Sequence, residues 1–228
     1  MEIGKAITFI PNDKNWISKM AIAGGIMFAS SIIPLIPLLF LIGYQVAVAK
    51  NVMKGEDEPL PEWQEWGQLF MDGVVVWAAQ FVYAIPVALL TVCVTLAFIG
   101  GADNNDGLIA LGIVSSCLLL FFAIALIFIM PALYIQYIRY GDFGPMFKFG
   151  EVISLVRENF IDILLTVIVA IVGALAISIV SIILIVTLCG PIIAYAVGSA
   201  WLMISLAYLY GQIASKYAKS ETDAIFAA

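Results

Sequence analysis

Histidine is absent from this chain of 228 residues, and charged residues of both signs make up only 11% of it. The absence of histidine excludes histidine-based acid–base catalysis, histidine metal ligation and pH sensing by imidazole. The net charge of −6 leaves no basic patch for a phosphate backbone, so we expect no nucleic-acid partner. The few cysteines show no pairing pattern or metal-ligand spacing, and we expect them to be small buried apolar residues: Cys93, Cys117 and Cys189.

Because charged residues are few, the chain contains several long stretches without any charge. Hydrophobic residues make up 64% of the chain, and residues 20–49, 73–102, 107–138 and 163–215 contain no charge at all. A helix needs about 20 apolar residues to cross a bilayer. The sequence therefore predicts an all-α integral membrane protein that forms a single transmembrane domain over residues 1–228.

The number of spans depends on the first stretch, where Pro34 and Pro37 favour a turn between two short helices. Six spans are then predicted, at residues 16–33, 35–54, 73–100, 107–139, 157–188 and 190–218. This count places all ten basic residues on one side of the membrane, whereas five spans would move Lys5, Lys14 and Lys19 to the other side. Because cytoplasmic loops are enriched in Lys and Arg, we predict a multipass cell-membrane protein with both termini in the cytoplasm. Its outer loops would be short: the Pro34–Pro37 turn and residues 100–107 and 189–191.

Similar short motifs flank each pair of spans and predict three helical hairpins. The motifs before the hairpins are IGKAI at residue 3, WGQLF at residue 66 and FGEVI at residue 149. Each hairpin ends with a tyrosine, a glutamine and then a cation: Tyr44, Gln45 and Lys50; Tyr134, Gln136 and Arg139; Tyr210, Gln212 and Lys216. The pattern favours pseudo-repeats of about 1–54, 61–140 and 146–219. Independent adaptation of helix ends to the headgroup zone and to the helix dipole is the alternative.

The longest polar island, KGEDEPLPEWQEWG at residues 54–67, joins the first hairpin to the second. Pro59 and Pro61 would stiffen an extended crossing, and Pro61 could begin a helix. In that helix Trp63, Trp66 and Phe70 would share an apolar face opposite Gln64, Glu65, Gln68 and Asp72, as in an interfacial helix. Residues 2–10 and 146–157 carry similar mixed faces, so the sequence predicts a collar of cytoplasmic interfacial amphipathic helices.

The acidic residues Glu56, Asp57 and Glu58 allow three interpretations. They could hold the linker in water, form a cation site together with Glu62, or provide a docking surface for a basic partner. The first interpretation requires no partner at all, and we expect the linker to be positional.

The linker also carries a family resemblance. The string GEDEPLPEW at residues 55–63, the preceding GYQVAVAKNVM and the N-terminal IGKAITFIPNDKNW resemble a large family of uncharacterised prokaryotic multipass membrane proteins, catalogued as a domain of unknown function. The hairpin plan is distantly similar to membrane domains that accompany some glycerophosphodiester phosphodiesterases. The resemblance implies a fold and a membrane location, and it supplies no catalytic residues.

The predicted spans contain no carboxylate or cation in their interiors, which argues against an enzyme and against an ion-coupled transporter. Four carboxylates of the predicted collar have no partner in the sequence pattern: Asp142, Glu151, Glu158 and Asp162. The polar residues within the spans are expected to bond between helices rather than to line a pathway: Gln80, Thr91, Thr95, Ser115, Ser116, Ser178, Ser181, Thr187, Ser199 and Ser205.

Small residues at four-residue spacing favour close helix packing, within one chain or between chains. They form three stripes: Ala21, Gly25 and Ala29; Ala170, Ala174 and Ser178; Ala194 and Gly198. The sequence thus favours a non-catalytic membrane scaffold or assembly factor without a cofactor or metal. Its partners would be membrane lipids and a second copy or another membrane protein. The alternative is a passive pore or a carrier for uncharged or lipidic solutes.

Overall fold

A computed structural model describes residues 1–101, 105–187 and 189–226, with side chains described as far as residue 218. Regular secondary structure in these ranges is entirely helical. The helices are α1 (Ile3–Thr8), α2 (Trp16–Ile32), α3 (Ile36–Lys54), α4 (Trp66–Gly100), α5 (Asp106–Tyr140), α6 (Phe149–Glu158), α7 (Phe160–Ile183) and α8 (Gly190–Phe226). Short 3-10 turns precede α2 and α6 and follow α7.

In the described residues, five helices are long and apolar enough to cross a membrane: α3, α4, α5, α7 with its 3-10 extension, and α8. The apolar helix α2 is shorter, at 17 residues. The prediction of an all-helical chain with several membrane-spanning helices is therefore confirmed, while the count of six spans stays a prediction. Residues 102–104 of the predicted outer loop at 100–107, and the predicted span end at residue 188, lie outside the described residues.

The first apolar stretch forms two helices rather than one kinked helix. Helix α2 ends at Ile32 and α3 begins at Ile36. Leu35 lies between them with a φ of 80°, a left-handed conformation that is costly for a residue with a β-carbon. The neighbouring Pro34 and Pro37 restrict the backbone on both sides of this turn.

The helix contacts follow a cyclic order. The second helices of the predicted hairpins, α3, α5 and α8, contact one another. Helix α2 packs against α3 and α8, α4 against α3 and α5, and α7 against α5 and α8. The first helix of each predicted hairpin thus packs against its own second helix and against the second helix of the hairpin before it, with the third hairpin taken as preceding the first. This order favours the predicted repeat.

Glycines bring α3, α4 and α8 into backbone contact. A β-carbon at Gly43 in α3 would overlap the carbonyl oxygen of Leu69 in α4, and one at Gly73 in α4 would overlap that of Leu39 in α3. In α8, a β-carbon at Gly211 would lie 2.6 Å from the carbonyl oxygen of Ala49. The helix axes can approach this closely only because these positions carry no side chain.

Burial is concentrated at one end of the bundle, which we call the linker end: α1, residues 55–65, α6 and the helix segments beside them. By contrast, in their most apolar segments only 11% of the residues of α4, 6% of those of α5 and none of those of α7 are buried. At 1.5 Å per residue, the 35 residues of α4 span about 52 Å, more than a hydrocarbon core of about 30 Å. All three cysteines are exposed on the chain, so the prediction that they are buried is wrong. Cys93 and Cys117 lie along segments of α4 and α5 that few other helices cover, and Cys189 directly precedes α8.

Candidate functional site

Side chains from α2 and α3 hold the linker in a non-helical conformation. Three successive linker carbonyls each accept a hydrogen bond: Pro59 from Asn51 Nδ2 at 3.2 Å, Leu60 from Lys19 Nζ at 2.7 Å, and Pro61 from the Tyr44 hydroxyl at 3.0 Å. These bonds satisfy backbone acceptors that a helix or strand would otherwise satisfy. The linker therefore has a defined path across the end of the bundle.

The centre of this arrangement is a charged group that we call the Lys19 cluster: the buried pair Asp13 and Lys19, with the half-exposed Glu62 at its edge. Lys19 is only 6% exposed, and its ammonium lies 2.8 Å from Asp13 Oδ2 and 3.2 Å from Glu62 Oε1. Asp13 is buried and also accepts a hydrogen bond from the backbone N–H of Asn15 at 2.8 Å. Buried charges are tolerated when they are paired and hydrogen-bonded in this way.

Trp63 attaches the linker to α2 and α3 beside the Lys19 cluster. Its ring stacks on that of Tyr44, with the centroids 4.1 Å apart and the planes at 5°, and its Nε1–H donates to the carbonyl of Lys19 at 3.2 Å. Trp66, by contrast, is 42% exposed and makes an edge contact with Phe40.

The predicted helix from Pro61 is therefore wrong. Residues 59–65 are not helical, and α4 begins at Trp66 and runs without interruption to Gly100. The physical reason is that the carbonyl of Pro61 bonds to the Tyr44 hydroxyl and that Trp63 packs on Tyr44, and these contacts keep residues 61–65 out of the helix.

A second buried group, the Asp72 cluster, joins α3, α4 and α5. The Asp72 carboxylate accepts hydrogen bonds from the Tyr137 hydroxyl at 2.6 Å, Gln68 Nε2 at 2.8 Å and Lys50 Nζ at 3.2 Å. The Lys50 ammonium also lies 5.0 Å from the centroid of the Tyr137 ring, a cation–π contact. The prediction that Asp72 lies on the polar face of an interfacial helix is wrong, because Asp72 is only 4% exposed. The uninterrupted helix α4 turns this position toward α3 and α5.

The carboxylates of the predicted collar have partners in the structure. Asp162 at the start of α7 forms an ion pair with Lys216 of α8, and Glu151 of α6 lies 2.9 Å from Lys148 Nζ. Glu158 accepts hydrogen bonds from the hydroxyls of Ser154 and Tyr217, which lower the pKa of its carboxyl group. The contacts of Glu158 and Asp162 link α6 and α7 to α8.

A polar cleft of about 490 Å³ opens at the linker end between α1, the linker and α8. Glu56 and Asp57 line this cleft and Glu58 does not. The same cleft is lined by Glu2, Lys5, Asp162, Tyr208, Gln212 and Lys216. Within the described ranges no three histidine, cysteine or acidic side chains are placed to hold a metal ion, so the geometry does not favour the cation-site interpretation of the linker.

The predicted small-residue stripes occupy different environments. Gly25 and Ala21 are exposed and line an apolar groove between α2 and α8, and a β-carbon at Gly25 would have no neighbour within 4 Å. The adjacent Gly24 makes the contact with α8, at Val197. Packing of the Ala21, Gly25 and Ala29 stripe between chains stays a prediction.

The other two stripes lie along α7 and α8. Gly198 packs against Ile177, and Gly173, which lies outside the predicted stripes, packs against Leu202. Ala170 lines a shallow groove beside α5, Ala194 is half-buried, and Ala174 and Ser178 are exposed.

Many polar residues of the spans bond within their own helix rather than between helices, in contrast to the prediction. Their hydroxyls donate to carbonyls three or four residues earlier: Thr91 to Val87, Thr95 to Thr91, Ser116 to Gly112, Ser178 to Ala174 and Thr187 to Leu184. These bonds satisfy the hydroxyls locally, so the five side chains provide no cross-link between helices and no polar path.

Sequence reasoning missed the Lys19 and Asp72 clusters and the contact glycines Gly43, Gly73 and Gly211. A signal was present for the charges, because Lys19 and Asp72 directly precede long uncharged runs, and Asp13, the partner of Lys19, lies only six residues before it. For the glycines the only signal was their position in apolar runs, and other glycines share it.

The comparisons with known proteins point to one family. No curated protein and no solved structure matches the chain. The model of the DUF4013 family, described as a protein of unknown function, matches residues 26–189. This region covers more than half of the chain and includes the linker. The expected membership of an uncharacterised family is thus confirmed, and the chain belongs to the DUF4013 family.

Proposed function

We propose that this protein is a non-catalytic membrane scaffold or assembly factor that acts through helix–helix and lipid contacts, as a homo-oligomer or with another membrane protein. The observation that carries the proposal is the contrast between its two ends. The linker end is cross-linked by buried polar side chains, whereas the apolar lengths of α4, α5 and α7 are largely uncovered.

The linker end has the properties of a rigid support. The Lys19 cluster fixes the linker to α2, the Asp72 cluster fixes α3 to α4 and α5, and the Asp162–Lys216 pair fixes α7 to α8. Each cluster joins segments that are far apart in the sequence. A support of this kind would hold the exposed helices at fixed positions in the membrane.

The uncovered hairpin of α4 and α5 would provide the contact surface. Leu89 and Leu96 of α4 are 62% and 64% exposed, and Leu120 and Phe121 of α5 are 63% and 67% exposed. In a bilayer, lipid or the helices of another chain cover such side chains. We propose that the linker end lies at the cytoplasmic side of a prokaryotic cell membrane. The basic side chains with described contacts lie at this end, and cytoplasmic segments are enriched in Lys and Arg.

The arrangement favours neither catalysis nor a passage through one chain. Among the buried ionisable side chains, Lys19 bonds to Asp13 and to a backbone carbonyl, and Asp72 accepts a bond from a tyrosine hydroxyl. Such contacts position the surrounding segments. The mutually contacting helices α3, α5 and α8 carry fully buried side chains, including Tyr44, Ile135 and Leu209. A pore would then have to form between chains.

Photo-crosslinking in membranes tests the scaffold. A photoreactive amino acid at Leu96 should give discrete protein–protein adducts, and the same group at Val76, which is fully buried in α4, should give none. Reconstituted vesicles should show no faster glycerol or urea uptake than empty vesicles. Adducts of Leu96 with lipid alone would contradict the scaffold, and rapid solute uptake would favour the pore.

A further inference from the structure

One face of α8 connects an apolar groove to the polar cleft. The groove has a volume of about 570 Å³ and lies between α1, α7 and α8. Along α8, residues that line first the groove and then the cleft recur at intervals of three or four, with Trp201 beside Leu202 in the series: Gly198, Leu202, Ser205, Tyr208, Gln212 and Lys216. Residues at this spacing share one side of a helix, so the two cavities follow each other along α8.

Helix α1 lies across the junction of the two cavities. Ile3 and Ile7 line the groove, whereas Glu2, Lys5 and Phe9 line the cleft. The helix is attached to α8 by a hydrogen bond from the backbone N–H of Glu2 to Gln212 Oε1 at 2.9 Å. The apolar and polar sides of α1 thus match the apolar and polar cavities beside them.

The lining of the groove is apolar, as an acyl chain requires, except for the hydroxyl of Ser205. Its walls belong to the membrane-spanning lengths of α7 and α8. Ser205 lines it at the end nearest the cleft and is 2% exposed, and in the described part of the chain its hydroxyl has no hydrogen-bond partner. A buried hydroxyl without a partner is unfavourable. An ester oxygen of a lipid in the groove would supply the acceptor that this hydroxyl lacks.

The charges of the cleft match a head group that carries both signs. Lys5 lies 3.7 Å from Glu2, and Lys216 pairs with Asp162, so both ammonium groups are close to carboxylates. Glu56 and Asp57 form no ion pair with any described side chain. The cleft therefore offers lysines for a phosphate and an excess of carboxylates for an ammonium group.

We propose that the groove and the cleft together bind one phospholipid whose head group contains a primary amine. An acyl chain occupies the groove, the glycerol ester lies beside Ser205, the phosphate lies near Lys5 and Lys216, and the amine lies near Glu56 and Asp57. This site stands independently of the scaffold, because it needs only one chain and one lipid.

Native mass spectrometry of the full chain tests the head-group assignment. The probes are dioleoyl phosphatidylethanolamine, phosphatidylcholine and phosphatidylglycerol, added singly at equal concentration. We expect one phosphatidylethanolamine to be retained per chain, with weaker phosphatidylcholine and weakest phosphatidylglycerol binding. The double variant Glu56→Gln, Asp57→Asn should reduce the preference for the amine lipid over phosphatidylglycerol by roughly fivefold. Glu58→Gln, the adjacent acid outside the cleft lining, should leave it unchanged.

A second pair of variants tests the groove. Ala176→Phe places a ring in the groove and should abolish the one-to-one lipid complex, whereas Ala174→Phe, at an equally exposed position of the same helix that does not line the groove, should not. Thermal melting of both variants reports whether they fold. Equal binding of the three lipids, a preference for phosphatidylglycerol, or lipid retention by a folded Ala176→Phe variant would overturn the proposal. A protein dimer that excludes lipid from the groove would also overturn it.

Discussion

The α-carbon of Gly43 packs directly against the backbone carbonyl of Leu69, and the relationship is reciprocal, since Gly73 packs against the carbonyl of Leu39. Helices α3 and α4 run in opposite directions, so a leucine four residues before a glycine in each helix produces two equivalent contacts. Such close approach increases van der Waals contact and brings Cα–H groups near carbonyl oxygens. This pair of contacts fixes the position of α4 against α3 directly beneath the linker.

A methyl group at this contact should be strongly destabilising. We expect Gly43→Ala or Gly73→Ala to lower the free energy of unfolding by about 1–3 kcal/mol or more, because the backbones must separate. Thermal melting in nanodiscs measures the effect. Gly25→Ala is the matched control, since its β-carbon would meet no neighbour. Equal melting temperatures for the Gly43 and Gly25 variants would contradict the close contact.

The exposed Gly25 allows a separate test of association. If the Ala21, Gly25 and Ala29 stripe packs between chains, Gly25→Leu should reduce the yield of oligomer without changing the melting temperature of the monomer. Size measurement by light scattering in nanodiscs or mild detergent reports the oligomer. Unchanged oligomer yield would show that this stripe contacts lipid only.

Removal of the buried ammonium should destabilise the linker end. We expect Lys19→Met to cost about 3–5 kcal/mol, because Asp13 is left buried without its partner and the Leu60 carbonyl loses its donor. Lys14→Met, at an exposed position five residues earlier, should be near neutral. Denaturant or thermal unfolding of both variants in the same lipid provides the comparison. A Lys19 variant as stable as the Lys14 variant would show that the cluster contributes nothing.

The linker residues should differ sharply in their sensitivity. Trp63→Ser should cost about 3–5 kcal/mol, because the buried ring loses its stack on Tyr44, and Trp66→Ser should cost less because its ring is partly exposed. Neutralising Glu56, Asp57 and Glu58 together should change stability by about 0–1 kcal/mol. Expression yield and melting temperature of Trp63→Ser, Trp66→Ser and the triple charge variant measure these differences. If the triple variant collapses while Trp63→Ser is intact, the linker is not positional.

Cysteine labelling of intact cells tests the predicted topology. In a background without the native cysteines, single cysteines at Glu2 and Glu58 should resist a membrane-impermeant reagent until the cells are opened. A cysteine at Asp106, at the opposite end of α5, should react from outside. Labelling of position 2 from outside would overturn the six-span arrangement.

The helix positions could be predicted because they depend on local properties of the chain. Uninterrupted apolar length sets the extent of α4, α5, α7 and α8, and the two prolines near Leu35 separate α2 from α3. The start of α4 could not be predicted in the same way. Pro61 has a good local preference for a first helical turn, but its carbonyl bonds to Tyr44, which is 17 residues away in the sequence.

The candidate sites required information that local patterns do not contain. Lys19 and Asp72 looked like residues at the edge of the membrane. Lys19 is buried against Asp13 and the linker, and Asp72 is buried against side chains of α3 and α5. Among glycines in similar apolar surroundings, only the register between helices distinguishes Gly43, which is packed against backbone, from Gly25, which is open.

By itself, the sequence determined that this chain forms long apolar helices and that prolines separate two of them. It also determined that the linker is acidic. These properties follow from composition and from backbone chemistry over neighbouring residues. Only the tertiary structure decided that Lys19 pairs with Asp13 beneath the linker, that Asp72 faces Tyr137, and that one side of α8 joins an apolar groove to a polar cleft. These relationships depend on the rotation and register of helices that lie far apart in the chain. Those are set by the sum of many contacts and not by any short segment.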